Sequence, residues 1–456
     1  MNTRARRAVF ATAAIVGAAA LAGCAGSAAG SAPAASGSLT ELTDDQQVEI
    51  VFESYNLSNA GIWSDTINTL LDEFMAEHPN ITVVGQPSDF EPGASSTGPA
   101  ASVQQQLLAG QAPDIAQLTF NELDFAATTL GAQNLSALVG DEGLADQFGG
   151  DYPYHERAAV LADWDDATYG LPYVLSTPVL WINEAQFEAA GLDPETVDLS
   201  TWDAVAAAAA QITASSGAPS LSVTCLVAGG SWCMQGLFAS NGAEVLSEDR
   251  STIEFGSDAA IDTVETFRGM FDDGILTNED FTSQYEAFAQ GKTAIHVNTS
   301  ALQGAFLQGS QAGGWALSAR TLPSFGDQAV VPTNSGSFLA MFATDPAKQA
   351  AAWELMQFMT SPRAYEIIST QIGYLPLRSS MADEGGPLYD WVEANPLVKP
   401  NLEQLDALEP WVSYPGDSYA QVDQVLATAI EDAVFYGADP AATMTEAAER
   451  AQGLIE

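Results

Sequence analysis

The 456-residue chain is strongly acidic, because 59 Asp and Glu stand against 13 Lys and Arg and give a formal net charge of −46 at pH 7. A field of that sign repels polyanions, so nucleic acid is excluded as a partner. With 47% hydrophobic residues over this length, the chain exceeds what one hydrophobic core usually holds, and we predict two lobes.

The first residues have the order of a secretory signal peptide: a basic start, an apolar run over residues 8–21, and small residues before Cys24. A cysteine at this place is typical of a bacterial lipobox. We therefore expect residues 1–23 to be a lipoprotein signal peptide and Cys24 to be the point of lipid attachment. The alternative is an ordinary signal peptide that contains a cysteine. Residues 24–44, rich in Ala, Gly and Ser at their start, predict a lipid-anchored flexible tether.

Seven residues, including Gly229 and Gly230, lie between two further cysteines, Cys225 and Cys233. An exported protein meets an oxidising environment in which a disulfide persists, and the flexible glycines allow a small loop to close. We expect the two cysteines to pair. Two reduced cysteines in a core remain the alternative.

The folded part begins with strands and helices in alternation. The pattern predicts a helix with an apolar face from Ile62 to Met75, ended by His78-Pro79. Together the predicted elements are a strand at 47–53, this helix, a strand at 81–84, a helix at 103–108 and a strand at 114–118. This order indicates an α/β fold, in which ligands bind beyond the carboxyl ends of the strands.

The middle of the chain contains an extended stretch over residues 169–183 that is too long for a simple strand and carries two prolines. Such a segment is suited to cross from one lobe to the other. Two more extended runs, at 293–297 and 337–342, are predicted to return the chain between the lobes, and several crossings form a hinge. A helix then starts at Asp345-Pro346, with proline at a tolerated first position.

Signatures of catalysis are missing from the sequence: we find no Gly-x-Ser-x-Gly elbow, no His-Glu-x-x-His and no phosphate-binding glycine loop. Three scattered histidines make a poor metal site or triad. The acidic run Asp163 to Asp166 lacks the glycine and terminal glutamate of a calcium loop and predicts a solvated hairpin turn. We therefore expect no enzyme, no catalytic residue, no cofactor and no metal, although 59 carboxylates leave an acid pair geometrically possible.

Residues 169–183 resemble the interlobe segment of ABC importer solute-binding proteins of the extracellular family 1 type, which includes maltose-binding and glycerol-3-phosphate-binding proteins. Further matches stand in the right order at 74–83, 109–114, 190–202, 288–294 and 373–376. The resemblance implies a two-lobed α/β fold of the periplasmic-binding-protein type, class II, with a multi-strand hinge. It places residues 45–173 plus 293–342 in the first lobe and residues 177–290 plus 345–452 in the second.

The chain looks closest to the glycerol-3-phosphate binders, and the resemblance implies ligand contacts by Ser176, Trp232, Ser300, Ser335, Gly336 and Tyr374. Trp and Tyr present flat faces that suit a sugar or glycerol. The phosphate binders place an Arg near the segment that corresponds to residues 414–419, where this chain has none. Phosphate recognition is thus in doubt, and a saccharide, a polyol or a glycerophosphodiester with a cationic head group is favoured.

From these features we expect the substrate-binding lipoprotein of an ABC importer, which captures a sugar, polyol or glycerol-phosphate-type solute between its lobes and delivers it to a membrane permease. It is expected to be a monomer, anchored through Cys24 at the extracellular face of the membrane of a Gram-positive bacterium. An extracellular carbohydrate-active hydrolase and a sensor component that presents its ligand to a receptor are the alternatives.

Overall fold

The computed structural model describes residues 37–89 and 98–455. The predicted signal peptide, Cys24 and most of the predicted tether lie outside the described residues. No helix within these two described ranges combines the length and the apolar character needed to cross a bilayer.

The strands of the described chain are β1 Val48–Ser54, β2 Ile81–Pro87, β3 Ile115–Thr119, β4 Asp163–Trp164, β5 Ala167–Thr168, β6 Gly170–Ser176, β7 Pro178–Asn183, β8 Leu221–Val223, β9 Ile295–Thr299, β10 Leu317–Arg320 and β11 Ser335–Met341. The α-helices are α1 Tyr55–Ser58, α2 Ile62–Glu77, α3 Pro99–Leu108, α4 Leu123–Phe125, α5 Leu135–Phe148, α6 Glu156–Ala159, α7 Glu184–Ala189, α8 Trp202–Ser216, α9 Met234–Ser240, α10 Asp258–Asp272, α11 Phe281–Ala289, α12 Gln303–Gly313, α13 Pro346–Met359, α14 Pro362–Gln371, α15 Tyr389–Ala394, α16 Lys399–Glu403, α17 Tyr419–Phe435 and α18 Pro440–Ile455.

The first sheet has five strands in the order β2-β1-β3-β11-β6. Strands β1, β2 and β3 are parallel, while β11 runs antiparallel to both β3 and β6. The predicted strands at the start of the chain and the predicted helix α2 are confirmed. Helix α2 buries Ile67, Leu70 and Phe74 completely, since these residues recur at the spacing that puts them on one helix face.

The second sheet has four strands in the order β10-β7-β9-β8. Strands β8 and β9 are parallel, and β7 is antiparallel to β9 and β10. The two large sheets are therefore separate, each with its own helices, and we name the bodies built on them the first lobe and the second lobe. The prediction of two α/β lobes is confirmed.

The long extended stretch at 169–183 crosses between the lobes as predicted. It forms β6 of the first sheet and β7 of the second sheet, and Thr177 alone separates the two strands. The acidic run Asp163 to Asp166 is a hairpin, because β4 pairs antiparallel with β5 and the turn residues Asp165 and Asp166 have φ of 48° and 60°.

The predicted division of the chain between the lobes is corrected at two places. Strands β9 and β10 fall inside the 293–342 segment assigned to the first lobe, yet they pair with β7 and β8 in the second sheet. Helices α13 and α14, assigned to the second lobe, pack on β1, β11 and α2 of the first lobe. The second crossing consequently lies between β10 and β11. The amphipathic patterns of α13 and α14 predict that each helix covers a sheet, but they do not identify which sheet.

Candidate functional site

A cavity of about 410 Å³ lies where the two sheets meet, at the edge formed by the strand ends. Strands β1, β3 and β6 of the first sheet all end at this edge, and β11 begins there because it runs antiparallel. Strand β9 of the second sheet also ends at it with Thr299, which lines the cavity. Strand ends converge here as they do at ligand sites of other open α/β sheets.

Eight aromatic residues from the two lobes line the cavity. In the first lobe Trp63, near the start of α2, meets Tyr374 edge to face at a ring distance of 5.3 Å. Facing them, Trp232 follows β8 and Tyr419 begins α17. The aromatic lining residues are Tyr55, Trp63, Phe120, Trp232, Phe281, Tyr374, Trp411 and Tyr419. Rings of this kind offer flat apolar faces to the C–H surface of a sugar or polyol.

Hydroxyl groups at the strand ends form the polar part of the wall. The Thr299 hydroxyl donates to the Ser176 hydroxyl at 2.7 Å, and the Ser176 hydroxyl donates to the Ser335 carbonyl at 3.3 Å. The three residues thus join the ends of β9 and β6 to the start of β11. Gly336 next to them has φ of +152°, and a Cβ there would lie 2.0 Å from the Val174 carbonyl, so a side chain at this position is not accommodated.

Directly behind the hydroxyls lies a buried group of polar side chains, which we name the hinge cluster: Thr177, Ser300, Asn401 and Gln404. Asn401 accepts hydrogen bonds from the amide and the hydroxyl of Thr177 and donates to the Ser300 hydroxyl. Gln404 donates to the Thr177 hydroxyl and to the Pro178 carbonyl, and accepts from the Leu322 amide at 2.7 Å. The crossing at Thr177 is therefore fixed by hydrogen bonds to residues of α16 and the position after it.

Glu122, one of two acidic side chains that line the cavity, is engaged structurally. It follows β3 and is fully buried, and one carboxylate oxygen accepts from the Ala100 amide at 2.9 Å at the start of α3. The other oxygen accepts from the amide and hydroxyl of Thr119 at 2.9 and 2.7 Å. Burial raises the pKa of Glu122 above its ordinary value, partly offset by these donors.

Asp423, the second acidic side chain of the wall, lies one turn into α17. One of its oxygens accepts from the Ser231 hydroxyl at 2.8 Å, and burial raises the pKa of this carboxyl. Lys, Arg and His are all missing from the lining residues that the structure describes. An anionic group would find no cation in the described wall to neutralise it.

Five of the six ligand contacts predicted from the sequence line the cavity: Ser176, Trp232, Ser335, Gly336 and Tyr374. Ser300 does not line it, because its hydroxyl lies in the hinge cluster and accepts from Asn401. The preceding residue, Thr299, faces the cavity instead. Sequence reasoning missed Trp63, Trp411, Tyr419 and Asp423, although Tyr419 is the last residue of the segment at 414–419 where an Arg was sought.

Arg378, just after the 373–376 segment, lies neither at the cavity nor at the surface. Its guanidinium donates to the backbone carbonyls of Thr360, Gly149, Tyr152 and Gln147 and lies 4.7 Å from the centre of the Tyr154 ring. Among the described residues no group of three or more His, Cys, Asp and Glu side chains is arranged to hold a metal ion. The structure joins Cys225 and Cys233 by a disulfide.

The chain belongs to the bacterial extracellular solute-binding protein family, whose model matches residues 60–366. The resemblance noted in the sequence is thereby confirmed. Members of this family are binding proteins, in keeping with the expectation that the chain acts by capturing a solute. A search among curated protein sequences returns no significant match.

Solved structures with the same fold include binding proteins for several solutes. The cyclic α-maltosyl-1,6-maltose binding protein of Arthrobacter globiformis is 20% identical with a TM-score of 0.74, covering 90% of this chain and 99% of its own. UgpB of Mycobacterium tuberculosis, solved with glycerophosphocholine, has the same identity and TM-score and covers 90% and 98%. The GacH receptor of Streptomyces glaucescens, solved with acarbose, is 17% identical, TM-score 0.71, covering 90% and 99%. These similarities confirm the two-lobed periplasmic-binding-protein-like fold.

Proposed function

We propose that this protein is the substrate-binding component of an ABC importer and holds an uncharged sugar, a polyol or a glycerophosphodiester in the cavity between its lobes. The observation that carries the proposal is the composition of the cavity wall, where rings from both lobes surround hydroxyl groups at the strand ends. Two lobes that share one ligand can close around it about the crossing at Thr177. The closed form is what a membrane permease would recognise.

The ligand class follows from the polar groups of the wall. Ser176, Thr299 and Ser335 offer hydroxyls and a carbonyl, which pair with ligand hydroxyls. The described wall has two carboxyl groups and lacks cations, which disfavours a phosphate monoester, because a dianion in this place would be unpaired. A phosphodiester joined to a cationic head group carries no net charge and therefore remains among the proposed ligands.

Hydrolysis is not part of the proposal. An acid pair would require two carboxyl groups free to exchange protons with a substrate. Both oxygens of Glu122 already accept hydrogen bonds from backbone or hydroxyl donors of its own lobe. That engagement suits a residue that fixes the start of α3 and supports a binding site without catalysis.

The cellular setting of the proposal rests on the sequence of the leader. A lipid on Cys24 and the Ala-, Gly- and Ser-rich segment after it would hold the lobes close to their permease at the extracellular face of the membrane, as in a Gram-positive bacterium. The predicted tether ends earlier than residue 44, because the Ser38 and Leu39 amides donate to the Leu138 carbonyl of the first lobe at 3.0 and 3.1 Å. The tether replaces free diffusion by a high local concentration. We propose a monomer, with the permease and membrane lipid as its partners.

Calorimetric titration with a panel of maltooligosaccharides, polyols and glycerophosphodiesters tests the function. We expect saturable one-site binding to one class of solute and no product after prolonged incubation. Glycerol-3-phosphate and inorganic phosphate serve as anionic controls and should give no heat of binding. Absence of binding across the panel, or steady turnover of a bound glycoside, would contradict the proposal.

A further inference from the structure

The disulfide between Cys225 and Cys233 closes a loop that forms part of the cavity wall. The loop, residues 224–233, follows the carboxyl end of β8, and we name it the disulfide loop. Three of the residues enclosed by the two cysteines, Gly229, Ser231 and Trp232, line the cavity. Both cysteines themselves are buried, with 2% and 1% of their surface exposed.

The disulfide loop has little regular structure of its own to hold this shape. It contains two single turns of 3-10 helix, at Thr224–Leu226 and Ser231–Cys233, and internal hydrogen bonds from Gly230 to Val227 and from Cys233 to Gly230. Its two arms are in direct contact, since a Cβ on Gly230 would lie 1.7 Å from the Thr224 carbonyl. The covalent bond between the arms is therefore the strongest restraint on the path of the loop.

Leu226 and Val227 anchor the first arm of the loop in the hydrophobic core, whereas its polar contacts with the rest of the second lobe pass through few groups. The Ala228 amide donates to Glu431, the Ser231 hydroxyl donates to Asp423 at 2.8 Å, and the Cys233 carbonyl accepts from the Thr333 hydroxyl at 3.1 Å. Trp232 stands between the last two anchors, Ser231 and Cys233, in the chain. If the arms separate, the side chain that this loop presents to the cavity loses a fixed position.

We propose that the Cys225–Cys233 disulfide is a positioning element of the solute site, which holds Trp232 against the ligand and makes solute affinity depend on the redox state of the protein. The proposal rests on the proposed function. A loop that is already ordered loses less conformational entropy when the solute binds. If the loop adopts its binding conformation in only a fraction of the molecules, the apparent affinity falls in proportion to that fraction. The disulfide thus acts through Trp232 and touches no ligand itself.

A double-mutant cycle on the full chain tests the proposal. The oxidised protein and the Cys225→Ser/Cys233→Ser variant are titrated with the panel solute that binds best, each with and without Trp232→Ala. We expect loss of the disulfide to weaken binding about tenfold, the equivalent of ~1.4 kcal/mol, when Trp232 is present, and to change little when it is absent. Equal weakening in both backgrounds indicates general loosening of the lobe and overturns the proposal.

Chemical reduction provides the same comparison without substitutions. A water-soluble phosphine gives two electrons to the S–S bond, two protons from water complete the thiols, and the phosphine takes the water oxygen as its oxide. Affinity should fall by the same factor as in the serine variant and return on reoxidation. Unchanged affinity in the fully reduced protein would contradict the proposal.

A readout without ligand separates this proposal from the proposed function. In protein labelled with 5-fluorotryptophan, the ¹⁹F signal of Trp232, assigned by Trp232→Phe, should shift or broaden on reduction. Trp202, 1% exposed in the second-lobe core, is the matched control and should stay unchanged. If the Trp232 signal changes on reduction but no solute of the panel binds the protein, the proposed function is wrong and the positioning role stands. If the Trp232 signal does not change on reduction, the positioning role is wrong.

Discussion

Two pairs of neighbouring residues show how the same strands build both the solute cavity and the hinge. Ser176 and Thr299 end strands β6 and β9, line the cavity and hydrogen-bond to each other. Thr177 and Ser300, one residue later, bind Asn401 in the hinge cluster. The wall of the cavity and the hinge cluster are therefore built from adjacent residues of the same two chain segments.

The difference between the two sides lies in how completely their polar groups are satisfied. In the hinge cluster, fully buried Asn401 uses both its oxygen and its nitrogen on protein partners. On the cavity side, the half-buried Thr299 hydroxyl donates to Ser176 and accepts from the Ala301 amide at 3.2 Å, which leaves one lone pair for a ligand. We therefore expect changes in the hinge cluster to alter stability and changes on the cavity side to alter affinity.

The largest effect is expected from Asn401→Ala. Removing this amide leaves the Thr177 amide and the Ser300 hydroxyl buried without their partner, which lowers the free energy of unfolding by about 2–4 kcal/mol. Urea denaturation followed by circular dichroism measures the change. Gln421→Ala, at an exposed position of α17, is the matched control and should stay within ~0.5 kcal/mol of wild type. An Asn401→Ala protein as stable as this control would break the comparison.

Effects of intermediate size on affinity and on stability should distinguish Ser176→Ala from Thr177→Val. The first removes a hydroxyl that faces the cavity, so affinity should fall about five- to tenfold while stability changes little. The second removes a hydroxyl of the hinge cluster, so stability should fall by about 1–2 kcal/mol at nearly constant affinity. Calorimetry with the best panel solute and urea denaturation give both quantities for both variants. If Ser176→Ala lowered mainly stability and Thr177→Val lowered mainly affinity, the roles assigned to the two residues would be wrong.

The smallest effect concerns the acidic side of the cavity. Burial raises the pKa of Asp423 in the folded protein above its unfolded value, so the folded state holds the proton more tightly. Stability is then unaffected at pH below the ordinary Asp range and is lost as the pH rises from about 4 through the raised pKa. Asp423→Asn removes this loss and keeps an acceptor for Ser231.

Thermal denaturation of both proteins between about pH 4 and neutral pH measures this difference. The stability of the Asp423→Asn protein relative to wild type should increase as the pH rises, and the two proteins should become equally stable towards acidic pH. A wild-type protein that gains stability relative to Asp423→Asn as the pH rises would show that the carboxylate is favoured in the folded state, contrary to its burial.

Local patterns predicted much of the fold because they act over short distances. The apolar spacing of Ile67, Leu70 and Phe74 predicted helix α2, and the prolines in residues 169–183 predicted the crossing. Assignment of α13 and α14 to a lobe failed, since an amphipathic helix shows that it covers a sheet without showing which one. Strands β9 and β10 were misplaced for a similar reason, because pairing partners far apart in the chain leave no local signal.

The candidate site was predicted less completely than the fold. The resemblance located Ser176, Trp232 and Tyr374, whereas it selected Ser300 in place of Thr299. An error of one residue at the end of a strand turns the side chain to the opposite side. Trp411, in the segment before α17, and Asp423, on α17, reach the cavity from the last quarter of the chain. Nothing in their immediate sequence distinguishes them from surface residues.

Calorimetric titration of wild type and Trp232→Ala with the best panel solute shows whether the cavity between the lobes is the solute site. Trp232 presents a half-buried ring to the cavity and can be removed without opening the core of the lobe. We predict one-site binding to wild type and an affinity about 10- to 100-fold weaker in Trp232→Ala, as for aromatic anchors of other binding sites. Equal affinity of the two proteins would contradict the account.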